Sequence, residues 1–112
     1  MSKETMELLK GTLDVLILKT LSLSPSHGYG VSRWIRERTG GLLAIEDAAL
    51  YQALHRLEDR GLIESEWGVS ENNRKAKFYQ VTAAGRRRLR QESSSLRRYT
   101  EAVFRVLEAE EG

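Results

Sequence analysis

Glu46-Asp47-Ala48-Ala49-Leu50-Tyr51-Gln52-Ala53-Leu54-His55-Arg56-Leu57-Glu58-Asp59-Arg60-Gly61 is the stretch on which the reading of this chain turns. Leu50, Ala53, Leu54 and Leu57 fall at i, i+3, i+4 and i+7, so a helix carries all four on one face, which must pack inward. The opposite side presents Ala48, Gln52, His55, Arg56 and Asp59, with Tyr51 at its edge. Amide, imidazole, guanidinium and phenol groups at helical spacing can read base edges. Glu46 and Asp47 suit the positive end of the helix dipole, and Gly61 stands where a left-handed residue closes the last turn.

Immediately downstream, the β-rich runs Leu62 to Trp67 and Ala76 to Thr82 flank a polar loop, Gly68 to Lys75, that contains Asn72-Asn73. That pattern predicts a hairpin. A helix followed at once by a hairpin with a basic tip is the arrangement of a winged helix-turn-helix, in which the helix enters the major groove and the wing touches backbone or minor groove. Taken alone, the segment also fits a plain surface corner of helix and strands with a solvated loop.

Upstream, residues from about Glu4 to Leu23 are helix-prone, with a stripe of Leu9, Leu13, Leu16, Ile17, Thr20 and Leu21 that Leu8, Val15 and Leu18 widen. Such a helix is covered on most sides, and its excess apolar surface suits a second subunit. Gly11 lies within it and marks a close approach to a neighbour. Ser24-Pro25-Ser26-His27-Gly28-Tyr29-Gly30 reads as a turn, with His27 satisfying a turn or a helix end. A second helix is expected from about Tyr29 to Arg38, ended by Gly40-Gly41. Leu42-Leu43-Ala44-Ile45 is short and β-prone, and is expected to add a third strand beside the hairpin.

After Thr82 the pattern is helical again, to about Glu110. Leu89, Leu96 and Val103 recur at seven, with Tyr99 and Val106 between them, which is a heptad-like seam. At 1.5 Å per residue this helix would be about 42 Å long, more than a small domain covers by itself. A helix folded back on its own domain remains open, but the length and repeat favour a two-fold dimer. Ser93-Ser94-Ser95 is where a bend or fraying is expected. The fold class is therefore mainly α (α+β): a winged helix-turn-helix DNA-binding domain over residues 1–82 and a dimerisation helix over 83–112.

With 112 residues the chain fits one compact unit plus a protruding element. Cysteine is absent, which excludes disulfides and thiolate metal sites and sits easily with a cytoplasmic location. No signal peptide is evident, and the longest apolar run, Leu13 to Leu21, is interrupted by Asp14 and Lys19 and far too short to span a membrane. Neither catalytic motif, phosphate loop nor metal spacing occurs, so an enzyme is not expected and no cofactor is expected. Net charge is only +2, but between Arg74 and Arg98 nine basic residues face the single acid Glu92, a balance of +8 that leaves −6 elsewhere. A concentrated basic segment is the footprint of phosphate binding.

Taken together, Leu9-Lys10-Gly11-Thr12-Leu13-Asp14, His27-Gly28-Tyr29-Gly30, Leu50-Tyr51, Leu54-His55-Arg56-Leu57-Glu58, Arg60-Gly61-Leu62-Ile63, Lys77-Phe78-Tyr79 and Val81-Thr82-Ala83-Ala84-Gly85 give the chain a strong motif set. On them it resembles PadR-type transcriptional regulators over nearly its whole length. The block Glu66 to Lys77 looks like a short-tailed subgroup. The resemblance implies a homodimeric winged-helix repressor whose last helix crosses to the other subunit near that subunit's first helix. Many relatives respond to phenolic acids or hydrophobic drugs, so it also implies a small hydrophobic or phenolic effector at the dimer interface.

The expected DNA-binding residues are Ala48, Ala49, Tyr51, Gln52, His55, Arg56, Asn72, Asn73, Arg74, Lys75 and Lys77, acting on a roughly palindromic duplex. The expected dimer interface comprises Leu9, Leu13, Leu89, Leu96, Tyr99, Val103, Phe104, Val106 and Leu107. Trp34, Trp67, Tyr99 and Phe104 are candidate walls of an effector site or plain core aromatics. One departure stands out. Relatives often carry Ser-Leu-Tyr-Pro or Thr-Leu-Tyr-Pro where this chain has Ala49-Leu50-Tyr51-Gln52, so a phosphate-holding hydroxyl is missing and an amide is added. Their operator preference does not transfer. A winged helix serving protein assembly without DNA is the competing reading, and the basic wing speaks against it.

Overall fold

Helical apolar spacing assembles one core in the computed structural model, which describes Leu8 and residues 11–111. The element order is α1 (Thr12–Leu23), β1 (Ser26–His27), α2 (Gly28–Arg38), α3 (Asp47–Asp59), β2 (Ile63–Val69), β3 (Lys75–Val81) and α4 (Ala83–Leu107). α1 contributes Ile17, Leu18 and Leu21, α2 contributes Val31 and Ile35, and α3 contributes Leu50, Ala53, Leu54 and Leu57. The four α3 residues are those at i, i+3, i+4 and i+7. Leu62, Ile63 and Tyr79 close the core from the hairpin side.

The start expected for the first helix, near Glu4, lies outside the described residues. Gly11, expected inside that helix, instead sits at the N-terminal boundary of α1 with φ 89°. This left-handed backbone favours glycine.

The hairpin forms as expected, but the third strand is elsewhere. The sheet order is β1-β3-β2, all antiparallel, with Ser26 opposite Tyr79 and His27 opposite Phe78. Ser26-His27 therefore covers the edge of β3 that β2 leaves open. Leu42 to Ile45 adds no strand to this sheet, because its backbone serves the end of α2: the Leu43 N–H donates to Thr39 Oγ1 at 3.1 Å, and Ile45 is an anchor buried in the core. Gly40 and Gly41, at φ 62° and 85°, turn the chain there. His27 ends a helix as expected: its Nδ1 accepts the Gly30 N–H at 3.0 Å, capping α2.

α4 is capped by Thr82, whose Oγ1 accepts the Gly85 N–H at 3.1 Å and donates to the Gly61 carbonyl at 2.7 Å. Its first turns pack on the core through Ala84 and Leu89. Beyond Leu89 the helix runs on through Ser93-Ser94-Ser95 without a break, so the chain does not fray there. Exposed serines cost a helix only a few tenths of a kcal/mol each, and the ion pair of Arg88 and Glu92 at 3.8 Å spans the preceding turn. The radius of gyration, 16.1 Å, exceeds the ~13 Å of a compact chain of this length, as a projecting helix requires.

Candidate nucleic-acid interface

At 100° per residue, Ala48, Gln52, His55 and Asp59 run down the line of α3 opposite its buried stripe. Tyr51 and Glu58 lie on the flank toward the hairpin, and Ala49 and Arg56 on the flank toward α1. All of these except half-buried Glu58 are exposed. Tyr51 rests its ring on Gly28, where a β-carbon would come within 3.0 Å of the ring. Its phenol is thus steered by the first turn of α2. His55 is 79% exposed at the side chain and meets Asp59 at 3.3 Å.

Arg56 is not free. Its Nη2 donates to Asp14 Oδ1 at 2.5 Å and its Nε to Oδ2 at 3.4 Å, a two-pronged link from α3 to α1. The hydrogen bond to Asp14 raises the guanidinium pKa, against partial desolvation and with the carboxylate charge behind it. The partner lies 42 residues away, so nothing local in the sequence announces it.

Ser70 to Arg74 form the wing tip. The Asn73 N–H donates to the Ser70 carbonyl at 2.9 Å, Asn73 takes φ 58°, and the Ser70 N–H returns to the Arg74 carbonyl at 2.8 Å. A tight turn followed by a left-handed residue is a frequent hairpin closure, and asparagine tolerates that conformation. Asn72, Asn73, Arg74 and Lys75 are exposed there. Lys75 holds its ammonium 5.0 Å from the centre of the Trp67 ring.

Lys77 is engaged on the α3 side. Its Nζ lies 3.4 Å from Glu58 Oε1, while the Ser65 hydroxyl donates to Glu58 Oε2 at 2.5 Å. One carboxylate of α3 thereby grips both strands of the hairpin. The Ser65 hydrogen bond first, and the Lys77 charge after desolvation, hold the Glu58 carboxyl below its ordinary pKa. Sequence reasoning did not single out Glu58, although its place just past buried Leu57 sets it on the flank from which a following hairpin can be reached.

Of the residues expected at a subunit interface, Leu9 lies outside the described residues. Leu13 and Leu89 are half-buried against this chain's own core. Leu96 and Val103 are half-covered, whereas Tyr99, Phe104, Val106 and Leu107 are 54–75% exposed. These six project within an arc of about 160° on α4, so they form one apolar face. The four expected aromatic walls occupy three surfaces: Trp34 on α2, Trp67 on β2, and Tyr99 with Phe104 on α4. A groove lined by Pro25, Glu64, Ser65, Glu66, Phe78, Tyr79 and Gln80 includes none of them, and an open depression on α4 lined by Glu101, Phe104, Arg105 and Glu108 includes one.

Three helices around one core, a three-stranded sheet whose hairpin follows the third helix, and a long last helix define a winged helix-turn-helix protein. Residues 17–91 match the model of the transcriptional regulator PadR-like family. The chain belongs to that family. It is 30% identical to a transcriptional regulator from Clostridium thermocellum, with a TM-score of 0.79 over 86% of this chain and 93% of that one. A PadR family regulator from Eggerthella lenta is 31% identical, with a TM-score of 0.78 over 90% of this chain and 86% of that one. The fold is also shared with PadR of Bacillus subtilis, whose structure is in complex with operator DNA. That protein is 24% identical, with a TM-score of 0.64 over 71% of this chain and 45% of that one.

Proposed function

We propose that this regulator is a homodimeric, sequence-specific DNA-binding repressor, with α3 as its recognition helix and the β2–β3 hairpin as its wing. The observation that carries the reading is the exposed line of Ala48, Gln52 and His55 on α3, flanked by a hairpin tip bearing Arg74 and Lys75. Amide and imidazole groups supply hydrogen bonds to base edges, and the tip cations supply charge for phosphates. The shared fold with a protein captured on operator DNA supports DNA as the partner. Family membership supports regulation of transcription as the outcome.

Dimerisation through residues 83–112 completes the reading. The apolar face of Leu96, Tyr99, Val103, Phe104, Val106 and Leu107 extends along roughly 17 Å of helix beyond the domain's core, a length over which a second copy would gain buried area. Two recognition helices related by a two-fold axis would meet successive major grooves about 34 Å apart, on a roughly palindromic operator. The same face, around Tyr99 and Phe104, is where a small hydrophobic or phenolic effector would act, since occupying it changes how the two copies sit.

Sedimentation of the full chain and of a truncation before Leu96, each alongside a DNA titration, tests the reading. A dimer that binds duplex DNA, with both properties lost in the truncation, is expected. A dimer indifferent to DNA at low salt would point to a protein-assembly module. A monomer that holds a single half-site tightly would remove the two-fold arrangement.

A further inference from the structure

The strand pleat places Ile63, Ser65, Trp67 and Val69 of β2 on one face, with Val81, Tyr79, Lys77 and Lys75 opposite them on β3. At its base this face is core, with Ile63 and Tyr79 buried. One step outward, Ser65 and Lys77 reach Glu58, so the face is turned toward α3. Further out the covering stops while the apolar residues continue: Trp67 is 63% exposed and Val69 66% exposed, side by side with Lys75 and Lys77. A solitary exposed hydrophobe needs no explanation, but two at i, i+2 beside two cations, on the side facing the recognition helix, form a patch. Two acids of the same strand, Glu64 and Glu66, project from the other face. The pleat thus sets the Trp67 indole and the β3 lysines on the α3 side, and the β2 acids, with Phe78 opposite Glu66, on the other.

We propose that this outer wing face is a sugar-phosphate pad, in which the Trp67 indole and Val69 pack on the deoxyribose of the strand bordering the groove that α3 enters while Lys75, steadied over the indole, meets its phosphate. The proposal rests on the DNA-binding reading above and deepens it. Charge complementarity selects the occupant, since a surface pairing lysines with an uncovered indole suits a polyanion with apolar sugar faces. A packed indole adds affinity that salt does not screen, unlike a phosphate contact, which releases counterions. Neither contact reads base identity, so the pad strengthens all sequences alike.

The test uses the full chain with Trp34→Phe, which leaves Trp67 as the sole indole, and a mixed-sequence duplex of about three helical turns. Complex formation is followed by mobility shift, and Trp67 by emission and acrylamide quenching. On binding, emission should change and quenching should fall. In the otherwise native chain, Trp67→Ala should weaken binding about tenfold at every salt concentration, ~1.4 kcal/mol, giving a log-log salt line parallel to that of the parent. Trp67→Phe should recover part of that loss. A complex that forms while Trp67 stays equally quenchable, with Trp67→Ala binding as tightly as the parent, overturns the pad and leaves the DNA-binding reading intact. Absence of any complex at low salt overturns both. Trp67 emission that follows protein concentration without DNA identifies contact between copies and also overturns the pad.

Discussion

Replacing Glu58 by glutamine tests how the hairpin is held to α3. In the native protein this carboxylate accepts from Ser65 at 2.5 Å and faces Lys77 at 3.4 Å. A hydrogen bond to a charged acceptor contributes about 1.5–3 kcal/mol when buried. Here the Glu58 side chain is 30% exposed and that of Lys77 40%, so solvent screening reduces both contributions. Glutamine keeps a neutral bond to Ser65 and loses the charge, which should cost ~1 kcal/mol, whereas alanine loses both and should cost ~2 kcal/mol. For a chain of this size the glutamine variant should melt about 5 °C lower at matched protein concentration.

The pH dependence carries the sign. The native Glu58 pKa is lowered, so its stabilisation is complete above the unfolded value and disappears as pH falls through the native one. The gap between parent and Glu58→Gln should therefore be full at pH 7 and close as the pH drops below ~4. Lys77, released from its acid, should steepen the log-log salt slope of DNA binding by about one. Equal melting curves at pH 7, or a gap that widens in acid, would refute the clasp.

Lys75→Ala should weaken binding to all duplexes about equally and reduce the salt slope by about one, and an unchanged slope in a filter-binding titration would remove it from the phosphate contacts. Gln52→Ala should cost roughly 1–3 kcal/mol of discrimination, read as the ratio of operator to random-duplex affinity; equal loss on both would make Gln52 a backbone contact at most. Asp14→Asn should lower stability by at most ~1 kcal/mol, since the ion pair with Arg56 is partly exposed. A double-mutant cycle with Arg56→Ala measures the coupling, and a value of zero would dismiss the link between α1 and α3. Gly85→Ala should cost ~2–3 kcal/mol in urea unfolding, because its methyl would run into the Leu62 carbonyl and Val81; a variant as stable as the parent would contradict that packing.

The helix α3 was legible because its information is local. Leu50, Ala53, Leu54 and Leu57 announce the buried face, and Gly61, at φ 71°, marks the end that its position suggested. His27 could likewise be placed at a helix end. The third strand was not legible, since two residues carry no periodicity, and the β-prone Leu42 to Ile45 was drawn instead to the end of α2. The heptad pattern in the last helix did not distinguish Leu89, covered by its own core, from Tyr99 and Val106, which are exposed, because spacing specifies a face and not what covers it. Within the candidate interface, the commitments of Arg56 to Asp14 and of Lys77 to Glu58 are tertiary. Residue type alone made both cations look equally available.

The most direct measurement is a hydroxyl-radical footprint on DNA upstream of the chain's own coding region. Two protected patches related by two-fold sequence symmetry, about 34 Å apart on one face of the duplex, are expected for the full chain and should fade together as salt rises. A single patch unaffected by truncation before Leu96, or no protection at low salt on any duplex tried, would contradict the account.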